Sequence, residues 1–388
     1  MEGEQKQKKR KRILPGLLFS LVPIAILAYF AISLISGHGL GISRIVGLFS
    51  SQVSDLTAEY LRFDIGRDTV FANSGDSTVA AGTLGIQILG PDGEEIYRDP
   101  IRMSYPAIGS SGDNTIVFDI GGTSVRVFSK TEPISSYDSD NPVISASINE
   151  NGWYCICKQS GGGYNGSVSV YNAIGKEIYK VSLASGYILT AVISPDNKTL
   201  AILEMMEGCS RLAFYSLDSE DIGGIFDLPN SLILDVLFLP NGKVLAFSEN
   251  SLLIVNTDGN GEEVYSFNGK RLGGYTYESE FIALYLLDYG IGYSGRIVTI
   301  SEDGKILGEI MTDREILSIS SRDGYLSVLR SDGVFIYSGI LKEFKAIGEP
   351  VSTSETHRIV ALGGGAALVV NDYSAVVYKA DIERGDDR

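Results

Sequence analysis

One feature constrains this chain more than any other, and it is a repeat. Between about residues 59 and 381 a single pattern recurs every 30–45 residues or so. An apolar strand leads into a turn of Pro/Asp/Asn-Gly type, then a strand of Leu-Ala-x-Ile kind. A strand ending in an aromatic follows, then a second turn and a short polar strand. The clearest copies run from Ile188 to Asp227 and from Leu232 to Phe267. Their turns, Ser194-Pro195-Asp196-Asn197-Lys198 and Leu239-Pro240-Asn241-Gly242-Lys243, coincide after a shift of 45 residues. Further copies span Val143 to Leu183, Phe281 to Met311, Ile316 to Ile347, Thr69 to Tyr97 and Met103 to Ile134. No long stretch in this region has helical periodicity, and β-branched and aromatic runs alternate with Gly, Asp and Asn turns. A small sheet with two apolar faces buries them by stacking between copies of itself, which is the arrangement of a β-propeller.

A ring must close, and the last unit shows how. Arg358 to Ala380 supplies only three strands, RIVALGG, AALVVND and AVVYKA, before the pattern ends. The missing outer strand is expected at Glu59-Tyr60-Leu61-Arg62-Phe63-Asp64-Ile65, ahead of the first complete unit, so that joining the two ends hides both free sheet edges. Counting units predicts eight blades; seven is the alternative if two of the weaker early units form one distorted blade. The fold class read from sequence is therefore all-β, an eight-bladed or alternatively seven-bladed β-propeller, preceded by one N-terminal transmembrane helix.

That helix is expected over residues 13–35. The run from Ile13 to Ile35 carries no charge, and at 1.5 Å per residue it is about 34 Å long, enough to cross a hydrocarbon core. Pro15 falls in the first turn, where a missing N–H costs nothing, and Pro23 is expected to kink the interior. The preceding tail holds Lys6, Lys8, Lys9, Arg10, Lys11 and Arg12, against Arg44 alone soon after the span. The positive-inside asymmetry places the N-terminus in the cytoplasm and the propeller outside it. A cleaved signal peptide is the competing reading, but the run is long for one and Ser33-Leu34-Ile35-Ser36-Gly37 is a poor cleavage site. The expected organisation is thus 1–12 basic cytoplasmic tail, 13–35 transmembrane helix, 36–57 juxtamembrane linker or short helix, 58–381 propeller and 382–388 polar tail.

Charge narrows the partners. The chain has a formal net charge of −16, and with the basic tail set aside the body is more acidic still. Such a surface repels nucleic acid and anionic headgroups, whereas a basic protein patch, a cationic wall polymer or metal ions are tolerated. With two histidines, His38 and His357, a multi-histidine metal site is excluded. Cys155-Ile156-Cys157 lies in an apolar run where a period of two puts both sulfurs on one strand face. A redox or metal pair competes there with small apolar filling, and the latter is the expectation.

Candidate chemistry is sparse. Asn256, Asp258 and Asn260 followed by Gly261 resemble the first half of a calcium loop, but the twelfth position is Phe267 instead of the bidentate Glu. The same residues suit a tight hairpin turn, like Pro91-Asp92-Gly93 and Glu302-Asp303-Gly304, so no cofactor is expected, with calcium as the weaker alternative. Asp138-Ser139-Asp140-Asn141 is a second acidic turn. Gly161-Gly162-Gly163 and Gly363-Gly364-Gly365 open no helix and read as strand connections rather than phosphate loops. No motif selects a catalytic pair, and no catalytic residue is assigned. Among the 21 tyrosines, Tyr275, Tyr277, Tyr285, Tyr289 and Tyr293 cluster in the sixth unit with few charges between them. They form a candidate recognition surface, although their partly alternating spacing sends several into the sheet packing.

These turn-and-strand patterns, over roughly residues 59–381, resemble the WD40 and quinoprotein-like superfamily of propellers. Its diagnostic motifs are absent: there is no Trp-Asp dipeptide, and the sole tryptophan, Trp153, rules out a repeated tryptophan-docking motif. Basic tail, single span and divergent propeller together are similar to the domain of unknown function 5711 family, a resemblance that implies location and fold and nothing catalytic. The expected function is a membrane-tethered extracytoplasmic scaffold in the cell envelope with a protein or cell-wall partner. The alternative is an extracytoplasmic hydrolase or lyase acting on a polysaccharide or peptide at the propeller channel.

Overall fold

The computed structural model describes residues 59–378 apart from 91–93, 220–221, 291, 348–355 and 372–373. The expected span at 13–35 lies outside these residues, and no helix among them is long and apolar enough to cross a membrane. The described chain folds as eight four-stranded antiparallel sheets, so the eight-blade count holds. The inner strands, one per blade, are Val70–Ser74, Pro106–Ser111, Val143–Ile148, Tyr187–Ile193, Ile233–Phe238, Arg271–Glu278, Ile316–Arg322 and Thr356–Ala361. In blades 1 to 7 the strands follow the chain order outward from the inner strand.

Blade 8 closes the ring. Its three C-terminal strands, Thr356–Ala361, Ala367–Asn371 and Ser374–Tyr378, take Glu59–Arg62 as their outer strand. Glu59 pairs with Val377 and Arg62 with Ser374. Beyond this strand Phe63 and Ile65 turn inward and join Phe71, Leu89, Val360 and Leu368 in the core between blades 8 and 1.

The apolar runs have a direct physical cause. Middle strands are covered on both faces by neighbouring blades, so Val244–Ser248 and Ser251–Val255 are buried at every position. Outer strands have a wet side, and Glu177–Leu183 alternates between exposed and half-buried. Each of the eight seams holds one apolar cluster. In the blade 3–4 seam Cys155 and Cys157 both face Ile188, Leu200 and Ala213, while Tyr154 and Ile156 face blade 2, as a period of two requires.

Turn chemistry fixes the hairpins. In the two turns related by 45 residues, Asn197 and Gly242 take positive φ (60° and 82°). Their N–H groups donate back to Ser194 O and Leu239 O at 3.0 and 2.9 Å. The left-handed conformation is available to Gly at no cost and to Asn at little.

The meander gives the ring two distinct faces. Inner strands begin on a crossover face, which also carries the loops between second and third strands. They end on a turn face, which carries the first and last hairpins of each blade. Glu59 lies on the turn face, because its strand runs antiparallel to Ser374–Tyr378 and starts opposite the end of that strand.

Candidate functional site

Two regions stand out, the crossover face and the central channel. On the first, the strongly exposed aromatic residues collect. Tyr105, Tyr164, Tyr187, Tyr289 and Tyr293 are the exposed aromatics among the described residues, at 48–77% exposure. Every one of them sits in or beside a crossover-face loop. Met205, Leu232 and Leu234 extend this apolar surface over blades 4 and 5. Tyrosines spread over one face of the ring have no folding role, since a phenol exposed to water contributes nothing to the core.

The five tyrosines singled out from sequence are divided rather than brought together. Tyr285 is buried in the blade 6–7 seam. Tyr275 stacks on Phe247 with ring centroids 4.0 Å apart, and its hydroxyl donates to Asp235 Oδ2 on the neighbouring inner strand. Tyr277 donates to Glu302 Oε1 at 3.1 Å on the turn face. Burial raises the phenol pKa of Tyr275 and Tyr277, and the adjacent carboxylate in each case adds to the shift. Tyr275 and Tyr277 are half-buried, and of the five only Tyr289 and Tyr293 are exposed, in the loop between the second and third strands of blade 6.

The other sequence candidates also have definite places. Asn256, Asp258 and Asn260 form the last hairpin of blade 5. Both oxygens of Asp258 are engaged there, accepting Asn260 N–H at 3.0 Å and Asn260 Nδ2 at 2.9 Å. Those contacts hold its carboxyl below the usual range. Among the described residues no group of three or more His, Cys, Asp or Glu is arranged to hold a metal. In the acidic turn 138–141, Asp140 accepts a hydrogen bond at 3.3 Å from Lys158 Nζ, whose side chain is buried. Asp138 lies 3.5 Å from Arg126. Burial pushes the Cys155 thiol up to about 11 and raises Cys157 as well, which keeps both protonated and inert. Gly363–Gly365 forms one 3-10 turn that connects Thr356–Ala361 to Ala367–Asn371, a strand connection as expected.

The channel was named from sequence as the place for the alternative activity, but the residues that line it were not legible. At its turn-face mouth lies a polar cavity of about 770 Å³ bordered by inner strands of blades 1, 2, 6, 7 and 8. Its charged lining is Glu150, Glu278, Arg322, Asp323 and Arg358, with Asn73 and the hydroxyls of Ser110, Ser318 and Ser320 between them. Arg322 Nη2 donates to Gly75 O at 2.7 Å, across a sequence separation of 247 residues. Asn73 Nδ2 donates to Ala361 O at 2.5 Å, and Ala361 N–H to Ser320 Oγ at 2.9 Å, which ties blades 7, 8 and 1 together at the mouth. Burial raises the Glu278 carboxyl, and Asp323 nearby adds to the shift, while backbone N–H groups of Gly324 and Asp323 oppose it. Asp323 Oδ2 accepts Gly364 N–H at 3.2 Å. The two acids that meet here are therefore both held by the backbone of adjoining turns.

Comparison with known proteins agrees with this fold. A family model described as a family of unknown function (DUF5711) matches residues 57–350. No curated protein matches the chain in sequence. Among solved structures, BamB from Moraxella catarrhalis superimposes with a TM-score of 0.54 at 11% identity, covering 84% of this chain and all of that one. The C-terminal WD40 domain of Sif2 does so with a TM-score of 0.58 at 14% identity, over 84% and 99%. At such identities the likeness establishes the propeller and nothing finer.

Proposed function

Because this chain belongs to the DUF5711 family of unknown function, we propose that it is a membrane-tethered, extracytoplasmic propeller acting as an interaction scaffold in the cell envelope, with a protein partner on its crossover face. The observation that carries this reading is the gathering on that face of all five exposed aromatics among the described residues. Tyrosine combines a large apolar area with a hydroxyl and few rotamers to immobilise, and it is enriched in protein interfaces for that reason. The chain enters the ring at Glu59, on the opposite face.

The alternative, hydrolysis at the channel, needs two carboxylates free to act on one bond. Glu278 and Asp323 share the cavity, but hydrogen bonds from turn backbone fix both carboxyls in place, so neither is free to move onto a scissile bond.

Site-directed photo-crosslinking tests the scaffold reading. A photoreactive phenylalanine analogue at Tyr187 or Tyr289 in the full chain, in cells, is expected to trap the same discrete partner. The analogue at Lys198 or Asn241, on the turn face, is expected to trap none of it. Equal crosslinking from both faces, or none from the crossover face, refutes the reading.

A further inference from the structure

A second site lies in the channel, and the pseudo-symmetry of the ring exposes it. In blades 3 to 8 the inner strand shifts register over its first residues, a β-bulge that re-aims the residue just after it. The shifts fall between Val143 and Ser145, Ile188 and Thr190, Ile233 and Asp235, Leu272 and Gly274, Ile316 and Ser318, and Thr356 and Arg358. Six blades thus place Ser145, Thr190, Asp235, Gly274, Ser318 and Arg358 at one level around the axis. Four of these are small and uncharged, which leaves the cross-section open to a long side chain.

Only two carry charge, and they are three blades apart. Asp235 is committed, because its carboxylate accepts the Tyr275 hydroxyl and also Val236 N–H at 2.8 Å. Arg358 is exposed to the channel and lines the cavity. Among the described residues it has neither a hydrogen bond nor an ion pair. The fork of a guanidinium without a partner, walled by hydroxyls, is a receptor for a carboxylate. Toward the mouth acids outnumber bases: Glu278, Asp323 and Glu150 line the same cavity, with Arg322 the one cation among them, its guanidinium donating to Gly75 O. A polyanion is repelled at the mouth and a simple cation is repelled at Arg358. What fits both ends is a dipolar ligand.

The spacing sets its length. Ser318, at the level of Arg358, and Asp323 are five residues apart along one strand and turn, or roughly 16 Å. Part of that is spanned by the Arg and Glu side chains themselves. We propose that the channel is a receptor for short peptides of about two to four residues, the free carboxylate seated on Arg358 and an ammonium group held at the mouth by Glu278, Asp323 and Glu150. This site stands apart from the tyrosine face and does not depend on docking there.

The test is titration of the full chain with lysyl-glycyl-glycine, with its C-terminal amide, and with inorganic phosphate. The free peptide is expected to bind at least tenfold more tightly than the amide, and phosphate more weakly than either. Arg358→Gln is expected to lose at least tenfold for the free peptide and to abolish the difference between acid and amide. Glu278→Gln is expected to weaken the free peptide but not a version acetylated on both amino groups. Arg358 makes no hydrogen bond or ion pair among the described residues, and an unchanged melting temperature of Arg358→Gln confirms that the loss is one of binding. Failure of the free peptide to bind, equal affinity for acid and amide, tighter binding of phosphate, or undiminished binding by Arg358→Gln each overturns the proposal.

Discussion

Ring closure is the most consequential claim about stability, and Phe63 tests it. The side chain is 7% exposed and follows directly on the closing strand Glu59–Arg62. Its ring meets Phe71 edge-on, with centroids 5.1 Å apart and planes at 68°. It packs with Leu89, Val360 and Leu368 at the one seam joining the two ends of the propeller. Truncation of a buried Phe to Ala costs about 3–5 kcal/mol in lost transfer energy and residual cavity. Such an aromatic pair contributes about 0.5–1.5 kcal/mol of its own. With Phe63 near the edge of the seam, where collapse is easier, Phe63→Ala is expected to lose about 4 kcal/mol, close to a thousandfold in the population of opened ring. Urea unfolding measures the total, and amide hydrogen exchange locates it. Exchange at Ala375 to Val377, which face the closing strand, is expected to accelerate sharply in Phe63→Ala. A truncation of comparable cost in another seam, Leu200→Ala between blades 3 and 4, is expected to leave those amides protected. A loss below about 1 kcal/mol, or exchange that accelerates equally in both variants, would refute the claim that this seam closes the ring.

Three other outcomes follow from single residues. Burial raises the Asp235 carboxyl above its ordinary 3.8, so the folded state holds that proton to higher pH than the unfolded chain does. Its stabilising contribution is full below 3.8 and is lost as pH rises through the folded value; Asp235→Asn is expected to flatten that part of a melting-temperature profile. Gly259 has φ +87° and sits where a Cβ would lie 2.5 Å from Ile225 O. Gly259→Ala is expected to cost about 2 kcal/mol or more in urea unfolding, from the left-handed strain of about 1–2 kcal/mol plus the backbone clash. Tyr285→Ala is expected to lose about 3–5 kcal/mol, whereas Tyr289→Ser is expected to stay within about 0.5 kcal/mol of the parent in the same assay. Equal losses would mean that the division of the tyrosines between core and surface is wrong.

The repeat, the eight units and the closing strand were all readable from sequence, because each is written in local terms. Covered middle strands need continuous apolar runs, tight hairpins need residues that accept positive φ, and a unit one strand short must borrow one from the other end of the chain. The period of two likewise put Cys155 and Cys157 on one face before any packing was known. What the sequence did not disclose is which polar side chains meet. Tyr275 and Tyr289 belong to one local cluster, yet one is bonded to Asp235 inside the ring and the other faces solvent, since alternation says that sides differ and not which side is wet. Arg322 reaches Gly75 over 247 residues, and Arg358 shares a level with Ser318 only because a bulge shifts both of their inner strands. Those relations arise when eight sheets pack around one axis, so the channel and its unpaired arginine exist only in the closed ring.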